Sequence, residues 1–183
     1  MEYQLDLSAT VKALFVPFNA EAISFLMIVL LSMLACYFIK FRNYTLNRRI
    51  LTTIVIFGLV VIVCLFGAIR GANVGWSLND DDTLTINAPP ANATINLSDC
   101  RIDLVDASSN WRISKRVNGS STAGLSYGRF KLNNGENAIY FRHLNNDKML
   151  LLSCDNNLYL IEHPNIEALY AELISRGVMH GIL

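Results

Sequence analysis

Gly124-Leu125-Ser126-Tyr127-Gly128 spells G-x-S-x-G, the pattern of a serine nucleophile elbow. The elbow works on a sharp strand-to-helix turn, which exposes the hydroxyl beside an oxyanion hole. Here a Ser/Gly-rich turn precedes the serine and a strand pattern follows it, so the glycines read as a tight strand start and a hydrolase using Ser126 is the remote alternative. His143, His163 and His180 include no pair at i+3 or i+4, so a helical metal pair is absent. Asp80-Asp81-Asp82 lacks the spaced oxygen ligands of a calcium loop and reads as a solvated linker. No metal, no cofactor and no catalytic set is expected. Arg112, Lys115 and Arg116 fall on one predicted strand, with Arg112 and Arg116 on the same face. They form the candidate binding set, suited to an anionic headgroup or a carboxylate. From Trp76 onward, however, nine Lys/Arg stand against twelve Asp/Glu, so a solvated strand face is the plainer reading. Cys100 and Cys154 lie near predicted strand ends. They can close a disulfide loop or remain two buried thiols, and spacing does not choose between these.

The elements that must position these residues are short. Segments with β character run Thr83–Asn87, Thr94–Leu97, Arg101–Val105, Trp111–Val117, Gly128–Leu132, Ala138–His143, Met149–Cys154 and Leu158–Ile161. Between them lie turn formers such as Asn118-Gly119, Asn133-Asn134-Gly135 and Asp155-Asn156-Asn157. This predicts meandering antiparallel hairpins, with Ile139 and Phe141 on one face and Tyr140 and Arg142 on the other. His163 before Pro164 opens a helical pattern. Ile166, Leu169, Tyr170, Leu173 and Ile174 make one apolar stripe, Asn165 is the expected N-cap, and Gly177 ends the helix.

The N-terminal part is of another kind. Residues 1–19 form an expected tail. Residues 20–39 and 50–70 are the expected membrane helices: no residue is charged from Ala22 to Ile39 or from Ile50 to Ile69, and each run reaches about 27 to 30 Å as a helix, enough for a bilayer core. The intervening loop, residues 40–49, carries Lys40, Arg42, Arg48 and Arg49. By the positive-inside rule this predicts a two-pass protein of the bacterial inner membrane, with the loop cytoplasmic and both termini and the C-terminal domain outside. Gly67, Gly71 and Gly75 at four-residue spacing allow close helix packing, either within the hairpin or in a homo-oligomer. Residues 76–82 read as a linker and 83–183 as the C-terminal domain.

The stretch Ile95–Ile174 resembles bacterial pleckstrin-homology-like (PH-like) domains found behind two-helix anchors. The residues that carry the resemblance are Ile95-Asn96-Leu97 before Cys100-Arg101-Ile102, the run Gly119, Gly124, Gly128-Arg129-Phe130, and the ending Leu158-Tyr159-Leu160-Ile161-Glu162-His163-Pro164. The resemblance implies a bent antiparallel barrel of about seven strands capped by a C-terminal helix. The expected whole is an α-helical transmembrane hairpin plus this mainly-β domain.

The 183 residues carry zero formal net charge, which argues against nucleic-acid binding by bulk electrostatics. The leading expectation is a non-catalytic interaction module that binds a protein or peptide partner. Lipid-headgroup binding through Arg112, Lys115 and Arg116 is the alternative.

Overall fold

The computed structural model of the chain describes residues 1–15, 37, 54–56, 58, 62, 69, 72–106 and 110–181. In chain order the elements are β1 (Glu2–Gln4), α1 (Leu7–Phe15), β2 (Gly75–Leu78), β3 (Thr83–Asn87), β4 (Ala93–Asn96), β5 (Cys100–Asp106), β6 (Ile113–Ser121), β7 (Leu125–Leu132), β8 (Asn137–His143), β9 (Lys148–Cys154), β10 (Asn157–Glu162), α2 (Ile166–Ser175) and β11 (Met179–His180). Residues Met1–Val16 and Gly71–Leu183 make one compact unit, and Pro17–Arg70 another. In the second unit the described positions Tyr37, Ile54, Val55, Ile56, Gly58, Ile62 and Ile69 are helical.

The first unit is mainly β, in two sheets. One is antiparallel in the order β1-β2-β3-β4, and the other has seven strands in the order β11-β5-β9-β10-β8-β7-β6. Turn chemistry sets much of this. Asp155 and Asn156 both take positive φ, at 49° and 61°, in the two-residue connection from β9 to β10, as a hairpin with the strand twist requires. Gly119 and Gly128 face each other across β6 and β7 at φ 118° and 120°. A Cβ on either would run into the partner's backbone, at 2.8 Å from Gly128 Cα or 2.7 Å from Gly119 Cα.

Both faces of the seven-stranded sheet bury apolar side chains. Leu150, Leu152, Phe141 and Ile161 join Trp76, Leu84, Ile86 and the α2 residues Ile166, Leu169 and Leu173 in the larger core. The alternate positions Phe130, Tyr140, Met149, Leu151 and Leu160 form a second, smaller core on the other face. Cys100 and Cys154 stand directly opposite across β5 and β9 and are joined by a disulfide, with S–S 2.07 Å.

Several expectations need correction. The fold is not a transmembrane hairpin carrying a single seven-stranded barrel. No helix among the described residues is long and apolar enough to cross a membrane. At 1.5 Å per residue, the nine residues of α1 and the ten of α2 reach only about 14 to 15 Å, half a bilayer core. The runs 20–39 and 50–70 lie almost wholly outside the described residues, as do Lys40, Arg42, Arg48 and Arg49. The expected membrane embedding, two-pass topology and inner-membrane location are therefore not carried by this structure.

The glycine seam fails for a related reason. Gly67 and Gly71 are outside the described residues, and Gly75 is a strand residue. It pairs with Gln4, whose Cα would lie 2.9 Å from a Cβ at that position. The stretch expected as a linker instead forms β2 and its turn to β3. There Asp81 Oδ1 accepts from Thr83 Oγ1 at 2.6 Å, and Asp82 meets Arg176 at 3.2 Å. The expected tail contributes β1, paired antiparallel to β2 with Tyr3 opposite Trp76. Nor is the seven-stranded sheet a simple meander. β10 inserts between β9 and β8 and runs parallel to β8, with Glu162 opposite Arg142.

Candidate binding cleft

The bend of the seven-stranded sheet leaves an open cleft of about 770 Å³ on the side of the smaller core. Phe130, Tyr140 and Met149 form its buried floor, and Ile113 is half-buried beside them. Polar groups from β6, β7, β8 and β10 reach the same space: Ser121, Ser126, Arg142 and Glu162. The volume falls within the usual range for ligand sites, but polar and charged residues outnumber the apolar ones in the lining, unlike the mostly apolar sites of small molecules.

Two hydrogen-bonded sets organise the polar lining. In the first, Arg142 Nη2 donates to Thr122 O at 2.9 Å, Ala123 O at 3.3 Å and Ser126 Oγ at 3.1 Å. Ser126 Oγ lies 3.0 Å from Ser121 Oγ. In the second, buried Glu162 accepts from Tyr140 Oη at 2.5 Å and from Asn146 N at 2.9 Å. Burial raises the Tyr140 phenol well above its ordinary pKa, and the Glu162 carboxylate adds to the rise, so the phenol stays a donor. Tyr140→Phe removes that donor and leaves a carboxylate oxygen in a buried place without its bond. We expect a loss of about 2 kcal/mol in urea unfolding, the range for a hydrogen bond to a charged group. A change below about 0.5 kcal/mol would show that water replaces the phenol.

A separate aromatic cluster fills the larger core. His163, 1% exposed, stacks on Tyr3 at a centroid distance of 4.4 Å and on Trp76 at 5.5 Å. Its Nδ1 accepts from Asn165 N at 3.2 Å, while Asn165 makes no side-chain cap to α2. The ring thus serves the start of the helix where an asparagine cap was expected. Tyr3 Oη also bonds His143 Nδ1 at 2.5 Å. Burial, and then the neighbouring His143, push the His163 pKa down to about 4, with Glu167 opposing weakly. His180 bonds Tyr170 Oη at 2.8 Å at the exposed end of the fold.

The sequence-predicted site residues are scattered by this arrangement. Arg112 lines the cleft, but Lys115 and Arg116 do not. All of them are exposed. The register of β6 against β7 shifts between Ile113 and Lys115 and again between Arg116 and Asn118, so the simple alternation that put Arg112 and Arg116 on one face is broken. Ser126 lies inside β7, 2% exposed, with Ser121 and Arg142 as its hydrogen-bond partners, a strand position and not an elbow. Sequence reasoning missed Arg142, Tyr140 and Glu162. Their signal was present, since Tyr140 and Arg142 alternate with Ile139 and Phe141, but alternation does not say which face lines a cleft.

This arrangement defines a mainly-β domain with a ligand-sized cleft. Residues 77–177 match the family described as the bacterial PH domain, and the chain belongs to that family. Domains of this family are generally non-catalytic interaction modules. The match begins after the expected two-helix anchor and lends it no support. No curated protein and no solved structure matches the chain.

Proposed function

We infer that this domain binds an extended segment of a partner protein in the cleft of the seven-stranded sheet. The observation that carries the reading is the cleft itself: about 770 Å³, open, with an apolar floor and polar groups held in place by the fold. Half-buried Ile113, backed by the buried Phe130 and Met149, offers contact area to an apolar side chain, and the rim residues Asp106, Arg112 and Asp147 offer ionic selection. Family membership supports an interaction role without naming the partner. Binding to an anionic lipid surface has less behind it, because Lys115 and Arg116 stand apart from the cleft.

Panning a random peptide library on the full chain tests this. Enriched peptides are expected to lose at least tenfold in affinity on Ile113→Lys, which places a charge at the half-buried wall. They should be unaffected by Asp99→Ala, an exposed change outside the cleft. Peptides insensitive to Ile113→Lys would remove the cleft from the function. Peptides that respond instead to Lys115→Ala and Arg116→Ala would move the site to the exposed part of β6.

A further inference from the structure

We propose that Arg142 is a carboxylate receptor within this cleft, and that the ligand presents a singly charged carboxylate beside a bulky apolar group. The proposal rests on the cleft being the binding site and adds the chemistry it selects. Arg142 is half-buried, yet among the described residues it has no ion pair. Its in-register neighbour across β8 and β10 is Glu162, the natural counter-ion. That carboxylate is committed elsewhere, to Tyr140 Oη and Asn146 N. Meanwhile two carbonyls and a hydroxyl hold Nη2 of Arg142 on the other side. No direct ion pair joins the two charges that adjacent strands place opposite each other; the Tyr140 phenol, which donates to Glu162, lies beside both, and Arg142 opposes the rise in its pKa. Arg142 Nε is buried and makes no hydrogen bond. With Nη2 already holding three acceptors and Nε buried, Nη1 is the donor left on this partly desolvated guanidinium, and it would meet an incoming carboxylate end-on.

The hydroxyls extend the receptor. Ser126 Oγ accepts from Arg142 and lies 3.0 Å from Ser121 Oγ, a contact in which either hydroxyl can donate. Ser121 is exposed and lines the cleft, so its hydroxyl is within the space a ligand oxygen would enter. Phe130, Met149 and Ile113 supply the apolar floor.

The remaining charges select the kind of anion. Arg112 and Arg142 share the lining with Asp106, Asp147 and Glu162, which leaves an excess of negative charge. That excess opposes any anion, and a dianionic phosphate about twice as strongly as a single carboxylate, so the monoanion is the one that a guanidinium can offset.

The test uses the full chain and 3-phenylpropionate as probe, followed by amide NMR. The probe is expected to saturate and to shift the amides of Ser121, Ser126 and Arg142. 3-Phenylpropionamide should bind at least tenfold more weakly, and inorganic phosphate should not displace the acid. Arg142→Gln should lose at least tenfold. Should that variant fail to fold, Ser121→Ala, at an exposed position, should still weaken the acid about threefold while leaving the amide unchanged. Equal binding of acid and amide, or displacement by phosphate, overturns the proposal.

Two peptides distinguish the carboxylate's source, one with a free C-terminal Phe and one amidated with an internal Glu-Phe. Whichever binds with Arg142 dependence identifies it. Binding of the small acid alone, with neither peptide, makes the ligand a small carboxylate. That outcome keeps the receptor and removes the partner segment. Cleft-dependent peptides that ignore Arg142 do the reverse.

Discussion

Replacing Cys100 and Cys154 together by alanine is expected to lower the unfolding free energy by about 4 kcal/mol, the loop-closure entropy of a cross-link of this length. The bridge spans a sequence separation of 54, from the start of β5 to the end of β9. Between these strands the chain makes β6, β7 and β8, so the cross-link encloses most of the cleft wall. Unfolded, the bridged chain has far fewer conformations to gain. Both side chains are buried in the larger core, so alanine is the suitable replacement and serine would bury an extra hydroxyl. Urea unfolding of the oxidised protein and the double variant, with alkylation and mass measurement to verify the bridge, provides the check. A difference under about 1 kcal/mol would mean that the denatured chain is already restricted, and the entropic account would be wrong.

The second large effect is acid lability centred on His163. The neutral ring accepts Asn165 N–H at Nδ1 and packs against both Tyr3 and Trp76, so a proton added at Nδ1 meets a donor and an apolar wall. The folded pKa lies near 4, against 6.5 for the free side chain. Between these values the unfolded chain binds the proton and the folded chain does not. Stability is therefore complete above about pH 6.5, falls as the pH drops toward 4, and for this group levels off below. The total is about 3 kcal/mol at 1.36 kcal/mol per unit. His143, whose pKa burial also lowers, contributes in the same direction. Urea midpoints from pH 7.5 to 4 should show this slope. His163→Gln, neutral throughout, should be less stable at pH 7.5 but lose most of the pH dependence. An unchanged slope in that variant would assign the acid response to other groups.

Local chemistry was legible without coordinates. Thr83–Asn87 is a strand as its β character predicted, and the apolar stripe from Ile166 became α2, ending at Ser175 with Gly177 at φ 85° just beyond. The Asn- and Gly-rich breaks fell between strands for the same reason, since backbone preference at a turn depends on the residues of that turn. The domain family was also visible in its short motifs. Long-range partnership was not. Glu2 pairs with Ser77, and Tyr3 stacks on His163, because sheet edges and aromatic faces find partners across the chain without leaving a periodic mark in either segment.

The cleft was hidden for a related reason. Alternation along β8 says that Tyr140 and Arg142 share a face, and nothing in it says whether that face meets water or the inside of a bend. Insertion of β10 beside β8 set Glu162 opposite Arg142, and the turn to β9 gave that carboxylate another donor in Asn146. By itself, then, the sequence determined strands β3 to β10, their turns, the closing helix and the family, but not β1, β2 or β11. Only the tertiary structure decided which polar residues meet, because strand order and sheet curvature arise from the summed burial of many distant side chains.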